Sequence, residues 1–146
     1  MRRRAYLAGV GSGGLLALAG CTALADGLLS GDDYDIGMTR HSFEPEVYET
    51  TVGERVVWKN TSEARHTVTA YEGSVPDGAS YVASGGFESE DEAREEWHAN
   101  FGGKIDTGER FEHTFEVPGS YAYFCIPHEF DGRDDAWMTG VVDVSD

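Results

Sequence analysis

Basic charge is what this chain of 146 residues has least of, with 11 Lys and Arg set against 27 Asp and Glu for a net charge of −16. Only Lys59 and Lys104 are lysines. Such a surface repels a phosphate backbone, so nucleic acid is excluded as a class of partner. Cysteine is equally scarce: Cys21 and Cys125 are the 2 present, too few for a disulfide-built scaffold. Long apolar runs are missing apart from Ala5 to Gly20, which falls short of the roughly 20 residues of an ordinary membrane-spanning helix. There is no P-loop, dinucleotide fingerprint, nucleophile elbow or internal repeat, so several enzyme classes lack their signatures. What remains is 40% hydrophobic and 12% aromatic content, enough for one cored domain and too much for a disordered chain. The acids are scattered rather than gathered in a tail, which suits a permanently hydrated surface in high-salt surroundings.

The N-terminus reads as a targeting segment. Arg2, Arg3 and Arg4 precede the uncharged stretch, and the first acid is Asp26. Arg3-Arg4-Ala5-Tyr6-Leu7 resembles a twin-arginine export signal, and Leu18-Ala19-Gly20-Cys21 resembles a lipobox cleaved before a cysteine that receives a lipid. Residues 1–20 are therefore expected to be a signal peptide, 21–34 the lipidated cysteine and a Gly- and Asp-containing tether, and 35–146 the folded domain. Cleavage removes three arginines and no acid, taking the net charge from −16 to −19. It also leaves Cys125 as a lone thiol outside the cytosol, an oxidation liability unless it is buried or bound.

The domain alternates strand-like runs with turn residues. Glu46 to Val52 and Arg55 to Asn60, separated by Gly53, predict two strands and a tight turn. His66 to Tyr71 predicts a third. Phe111, His113, Phe115 and Val117 share one face of a half-buried strand. Pro118-Gly119 then turns the chain into Tyr121 to Cys125, and Gly140 to Val144 supplies the last strand. Short strands spaced in this way predict an all-β, antiparallel sandwich or barrel. Gly73 to Thr107 interrupts the pattern, and within it Ser89-Glu90-Asp91-Glu92 has the form of a capping box opening a short acidic helix that runs to Trp97. Gly85-Gly86 and Gly102-Gly103 flank that insertion as turn positions.

The chemistry concentrates in Cys125-Ile126-Pro127-His128, followed by Met138 and preceded far upstream by His66. Thiolate, imidazole and thioether together suit copper: soft sulfurs favour Cu(I), while imidazoles serve both oxidation states. Two histidines and one cysteine with a weak axial methionine make an electron-transfer site, and a scaffold that holds them still lets copper change oxidation state with little rearrangement. His41, His98 and His113 fall outside this pattern, and His113 is placed among the phenylalanines as a packed residue.

In these residues the chain resembles the cupredoxins, most closely the plastocyanin-like and halocyanin-like blue copper proteins of haloarchaea. The resemblance is carried by Gly53 to Asn60, His66-Thr67-Val68, Phe115 to Tyr121, and Tyr123 to Glu129 with Met138-Thr139-Gly140-Val141-Val142. It implies a Greek-key β-sandwich, here with the inserted short helix. It also implies one type 1 copper held by His66, Cys125, His128 and Met138, a Thr67 N–H directed at the thiolate sulfur, and single-electron shuttling without substrate turnover. The chain departs from the family in the long acidic stretch Glu129 to Trp137 ahead of Met138. If Met138 does not reach the metal, the copper is three-coordinate or takes an oxygen ligand such as Glu129.

The function expected is that of a membrane-anchored, monomeric blue copper protein, exported to the outer face of the membrane and exchanging electrons with redox proteins of a membrane electron-transport chain. A copper carrier or store is the alternative, although open Met-rich or multi-Cys sites would suit it better and the chain has only 3 methionines. A zinc module could use the same ligands. A copper nitrite reductase would need a second copper with its own histidines. Pro127, Phe130, Ala136 and Trp137 around His128 are candidates for an apolar docking patch. Cys21→Ser is expected to release the protein into the medium or leave it unprocessed, as fractionation of membranes and medium will read; a wild-type protein recovered soluble and without lipid would contradict the anchor.

Overall fold

Alternating Val and Trp side chains in Arg55–Asn60 make the strand on which half of the molecule is assembled. The computed structural model describes residues 33–129 and 138–146. Among these, eight strands form two four-stranded sheets. The first sheet has the order β2 (Phe43–Glu44), β1 (Ile36–Met38), β4 (Arg55–Asn60), β6 (Arg110–Thr114). The second has the order β3 (Val47–Thr51), β8 (Thr139–Ser145), β7 (Gly119–Phe124), β5 (Thr69–Ala70). Non-consecutive neighbours in both sheets give the Greek-key β-sandwich expected from the sequence, with an inserted α-helix.

The sandwich is mixed rather than purely antiparallel. β1 lies parallel to β4, pairing Ile36 with Trp58, and β3 lies parallel to β8, pairing Val47 with Val141. In each parallel pair the chain crosses to the opposite sheet between the two strands, a connection that strand patterning alone does not reveal. The predicted strand from His66 to Tyr71 is narrower than expected. Only Thr69–Ala70 joins the ladder with β7, because His66 leaves the sheet and pairs with Ile105 through an isolated bridge.

Aromatic residues lock the layers together. Phe43 and Trp58 from the first sheet meet the ring of Tyr123 from the second in edge-on contacts at 4.6 and 5.6 Å. Such contacts add about 0.5–1.5 kcal/mol to the burial of the rings themselves. Gly140 makes this packing possible, since a Cβ there would lie 2.7 Å from the Tyr123 ring.

The inserted segment carries α1 (Glu90–Asn100). Ser89 caps it by accepting from the Glu92 N–H, three acids occupy its first turn, and Phe101 ends it in the left-handed conformation with φ 62°. Only half of the reciprocal capping box forms, because the Glu92 carboxylate accepts from Glu88 N–H instead of Ser89. The buried face of α1, Ala93 and Trp97, packs in one cluster with Ala83, Phe124 and Ile126. Phe124 and Ile126 are the two residues flanking Cys125, so the insertion braces the segment that bears the thiol.

Arg94 strengthens that brace. Its guanidinium lies 4.4 Å above the Phe124 ring, which itself stacks on Tyr71. The same group bonds Glu90 in α1 and grips both oxygens of Glu129, the residue after His128, at 2.8 and 3.1 Å. The acidic helix is thus more than a solvated face. A double-mutant cycle over Arg94→Ala and Glu129→Ala, read by urea denaturation, is expected to give a coupling of about 1 kcal/mol. A coupling indistinguishable from zero would mean that α1 holds this segment through Trp97 and Ala93 alone.

Candidate metal centre

Three chain segments meet at one end of the sandwich. His66 lies between β4 and β5, held by reciprocal bonds with Ile105: His66 N–H donates at 3.2 Å, and Ile105 N–H donates back at 2.8 Å. Cys125 follows β7 directly, and its N–H donates to the Met138 carbonyl at 3.1 Å. Ile126–His128 then forms one 3-10 turn, closed by His128 N–H on the Cys125 carbonyl. That turn, with the fixed φ of Pro127 inside it, folds His128 back over the cysteine.

The result is a convergence of three ligand atoms. Cys125 Sγ lies 3.4 Å from His66 Nδ1 and 3.4 Å from His128 Nδ1, and all three atoms fall within 4.8 Å of one another. Nitrogen and sulfur bound to a single ion at about 2.0 and 2.3 Å stand roughly 3.5 Å apart in tetrahedral geometry, so the spacing fits one metal ion. Met138 is fully buried beside Cys125 in the core, at the entry to β8. The set of one thiolate, two imidazoles and a neighbouring thioether has the softness that copper selects.

Burial controls the titration of the metal-free site. Cys125 has no exposed surface, and desolvation pushes its thiol up to about 12, opposed by N–H groups of Thr67 and His128. His66, also fully buried, is brought down to about 4, first by desolvation and then by the neighbouring charge of His128; the Thr39 carbonyl works the other way. The Thr67 N–H points at Sγ from 3.4 Å, as the resemblance implies. Thr67 also receives the Ile126 N–H on its hydroxyl at 2.9 Å, tying the His66 segment to the cysteine turn.

A model of copper binding proteins, the plastocyanin/azurin family, matches residues 32–145. The chain belongs to this family. It is 28% identical to the plastocyanin major isoform of Arabidopsis thaliana over 139 residues, covering 95% of this chain and 70% of that protein. It is 31% identical to plastocyanin of Scenedesmus fuscus over 90 residues, 62% of this chain and 78% of the relative. In fold it is similar to amicyanin from Paracoccus versutus, with TM-score 0.50 at 22% identity over 80% of this chain and 85% of that one. The copper-containing nitrite reductase of Thermus scotoductus SA-01 shares the fold over 76% of this chain but only 22% of its own length, with TM-score 0.51 at 22% identity. The cofactor of this cupredoxin is copper.

Several features of the site escape strand and ligand patterning. His41 is exposed, yet it sets its ring edge-on to His128 at 5.7 Å between centroids. Ser62 Oγ lies 2.9 Å from the outer nitrogen of His66 and 2.8 Å from Asn60 Oδ1; Asn60 ends the Val-Val-Trp-Lys-Asn stretch, which was the one available signal. His113 packs at 4.6 Å against Phe115, as expected. Both Glu129 oxygens are occupied by Arg94, so this carboxylate is not offered as the oxygen ligand considered above. The signal segment, Cys21 and the tether as far as Asp32, and Phe130, Ala136 and Trp137 lie outside the described residues.

Because a metal-bound thiolate must be deprotonated while His66 is already neutral, copper binding at mildly alkaline pH is expected to release about one proton per ion, from Cys125. Calorimetry in buffers of different ionisation enthalpy measures this number. Release near zero would remove the thiol from the ligand set.

Proposed function

We propose that the protein is a one-electron carrier in which His66, Cys125 and His128 bind a type 1 copper and Met138 supplies the weak axial sulfur. The observation that carries this reading is the meeting of Cys125 Sγ with two Nδ1 atoms at 3.4 Å. Bound copper supplies a single electron that can be taken up and given back. The chain's own residues keep the cost of that exchange low. Three ligands, His66, Cys125 and Met138, sit without exposed surface, the Thr67 N–H steadies the charge on sulfur, and two sheets with a braced turn hold the ligand atoms in place.

His128 is the partly exposed member of the set, so its ring edge is the exit toward a redox partner, with exposed His41 beside it. The export signal and the lipobox at Cys21 support anchoring to the outer face of a membrane, where such a carrier would serve an electron-transport chain. Among the described residues no helix is long and apolar enough to cross a membrane. The family relatives named plastocyanin favour an electron carrier over an enzyme or a store.

The copper-loaded protein is expected to be intensely blue or green and to bleach reversibly on reduction. Cys125→Ser should abolish the visible band, since the absorption is a charge transfer from the thiolate, while far-ultraviolet circular dichroism stays close to wild type. A variant that keeps its colour would overturn the assignment. Met138→Leu should retain a coloured site with a raised reduction potential; an unchanged potential and spectrum would take Met138 out of the ligand set.

A further inference from the structure

The outer nitrogen of His66 is enclosed by a hydrogen-bond network in which every proton can be assigned. Asn60 has no exposed surface, and its amide group faces two backbone carbonyls, Ala64 O at 2.7 Å and Ile105 O at 2.8 Å. Carbonyls only accept, so these contacts must belong to the NH2 group of Asn60, and its Oδ1 is turned toward Ser62. Oδ1 there receives the Ser62 N–H at 2.8 Å and stands 2.8 Å from the Ser62 hydroxyl.

A hydroxyl has one proton and two lone pairs. If Ser62 spent its proton on His66, two oxygens would face each other at 2.8 Å with no hydrogen between them. The proton therefore goes to Asn60 Oδ1. The lone pairs of Ser62 Oγ then accept from the Ala64 N–H at 3.1 Å and from His66 Nε2 at 2.9 Å, which saturates the hydroxyl.

We infer that Ser62, oriented by Asn60, is a positioning residue that holds the His66 proton on Nε2 and so keeps the Nδ1 lone pair turned toward Cys125 and ready for the metal. The direction of this relay is set by the backbone: two carbonyls orient an amide, the amide orients a hydroxyl, and the hydroxyl selects the tautomer of an imidazole. A donor bond from the remote nitrogen of a ligating histidine also fixes its ring plane and raises its basicity, and loss of such a partner commonly costs 10–100-fold in metal affinity. Ser62→Ala removes the partner of the remote nitrogen and leaves the ligand atoms themselves untouched, so the low end of that range is expected.

The inference rests on His66 being a ligand, and the test separates the two. In the metal-free wild-type protein near neutral pH, long-range proton–nitrogen NMR of His66 should show the Nε2–H tautomer. Zinc, used as a diamagnetic probe, should bind Ser62→Ala about tenfold more weakly than wild type, and Ser62→Thr, which keeps the hydroxyl, should bind as wild type does. An Nδ1–H tautomer in the wild type would overturn the inference whatever the variants do. So would a folded Ser62→Ala with wild-type affinity, or a folded Ser62→Thr that binds as weakly as a folded Ser62→Ala. Should Ser62→Ala not fold, the wild-type tautomer and the Ser62→Thr affinity decide. A wild-type protein that binds neither zinc nor copper would instead remove His66, Cys125 and His128 as ligands.

Discussion

A sulfur atom with no access to water and two imidazole nitrogens 3.4 Å away is the constraint around which this molecule is arranged. Such an atom has poor options as a thiol: burial holds its proton on, with a pKa raised to about 12, and a charged sulfur there needs a counter-charge. A bound cation supplies that charge. The surrounding chain is consistent with this use, because N–H groups of Thr67 and His128 favour the thiolate. Without a metal, Cys125 keeps its proton and His66 is uncharged in its buried position.

Holding three ligand atoms at one point requires bonds between segments far apart in sequence, and these form a continuous set. Ile105 fixes the His66 backbone, the Thr67 hydroxyl receives Ile126 N–H, and the Met138 carbonyl receives Cys125 N–H. Outside this ring, α1 covers Phe124 and Ile126 on either side of the cysteine, and Arg94 anchors Glu129 just beyond His128. The insertion that looks from composition like an acidic appendage is in energetic terms a wall of the site. Redox change at a metal is slowed by movement of its ligands, and each of these contacts resists such movement.

Polar groups buried beside a metal must be satisfied or they destabilise the fold. Asn60 and Ser62 meet that demand completely, with both amide protons, both lone pairs of Oδ1, and the hydroxyl's single donor and two acceptor positions taken up. Saturation gives the network one orientation, whereas a partly satisfied network would have several.

Much of this protein was legible in its sequence. Val56, Trp58 and the Phe111–Phe115 alternation announced strands because a two-residue period survives wherever one face is buried, and Ser89 announced α1 because capping is local. His66, Cys125, His128 and Met138 stood out because few other chemistries call for that combination of soft sulfur and imidazole. What tertiary structure alone decided is everything that depends on non-local pairing. The parallel partnerships of β1 with β4 and β3 with β8, the short strands Ile36–Met38 and Phe43–Glu44, and the escape of His66 from its strand leave no periodic trace. His41 beside His128, Arg94 on Glu129 and Ser62 on His66 are likewise invisible in sequence. A single exposed histidine, a lone arginine in an acidic helix and a serine in a turn acquire meaning only from the side chains that folding sets against them. A residue's type carries its chemistry, and its geometry comes from contacts made across 4 positions of chain in one place, Ser62 to His66, and across 94 in another, Val47 to Val141.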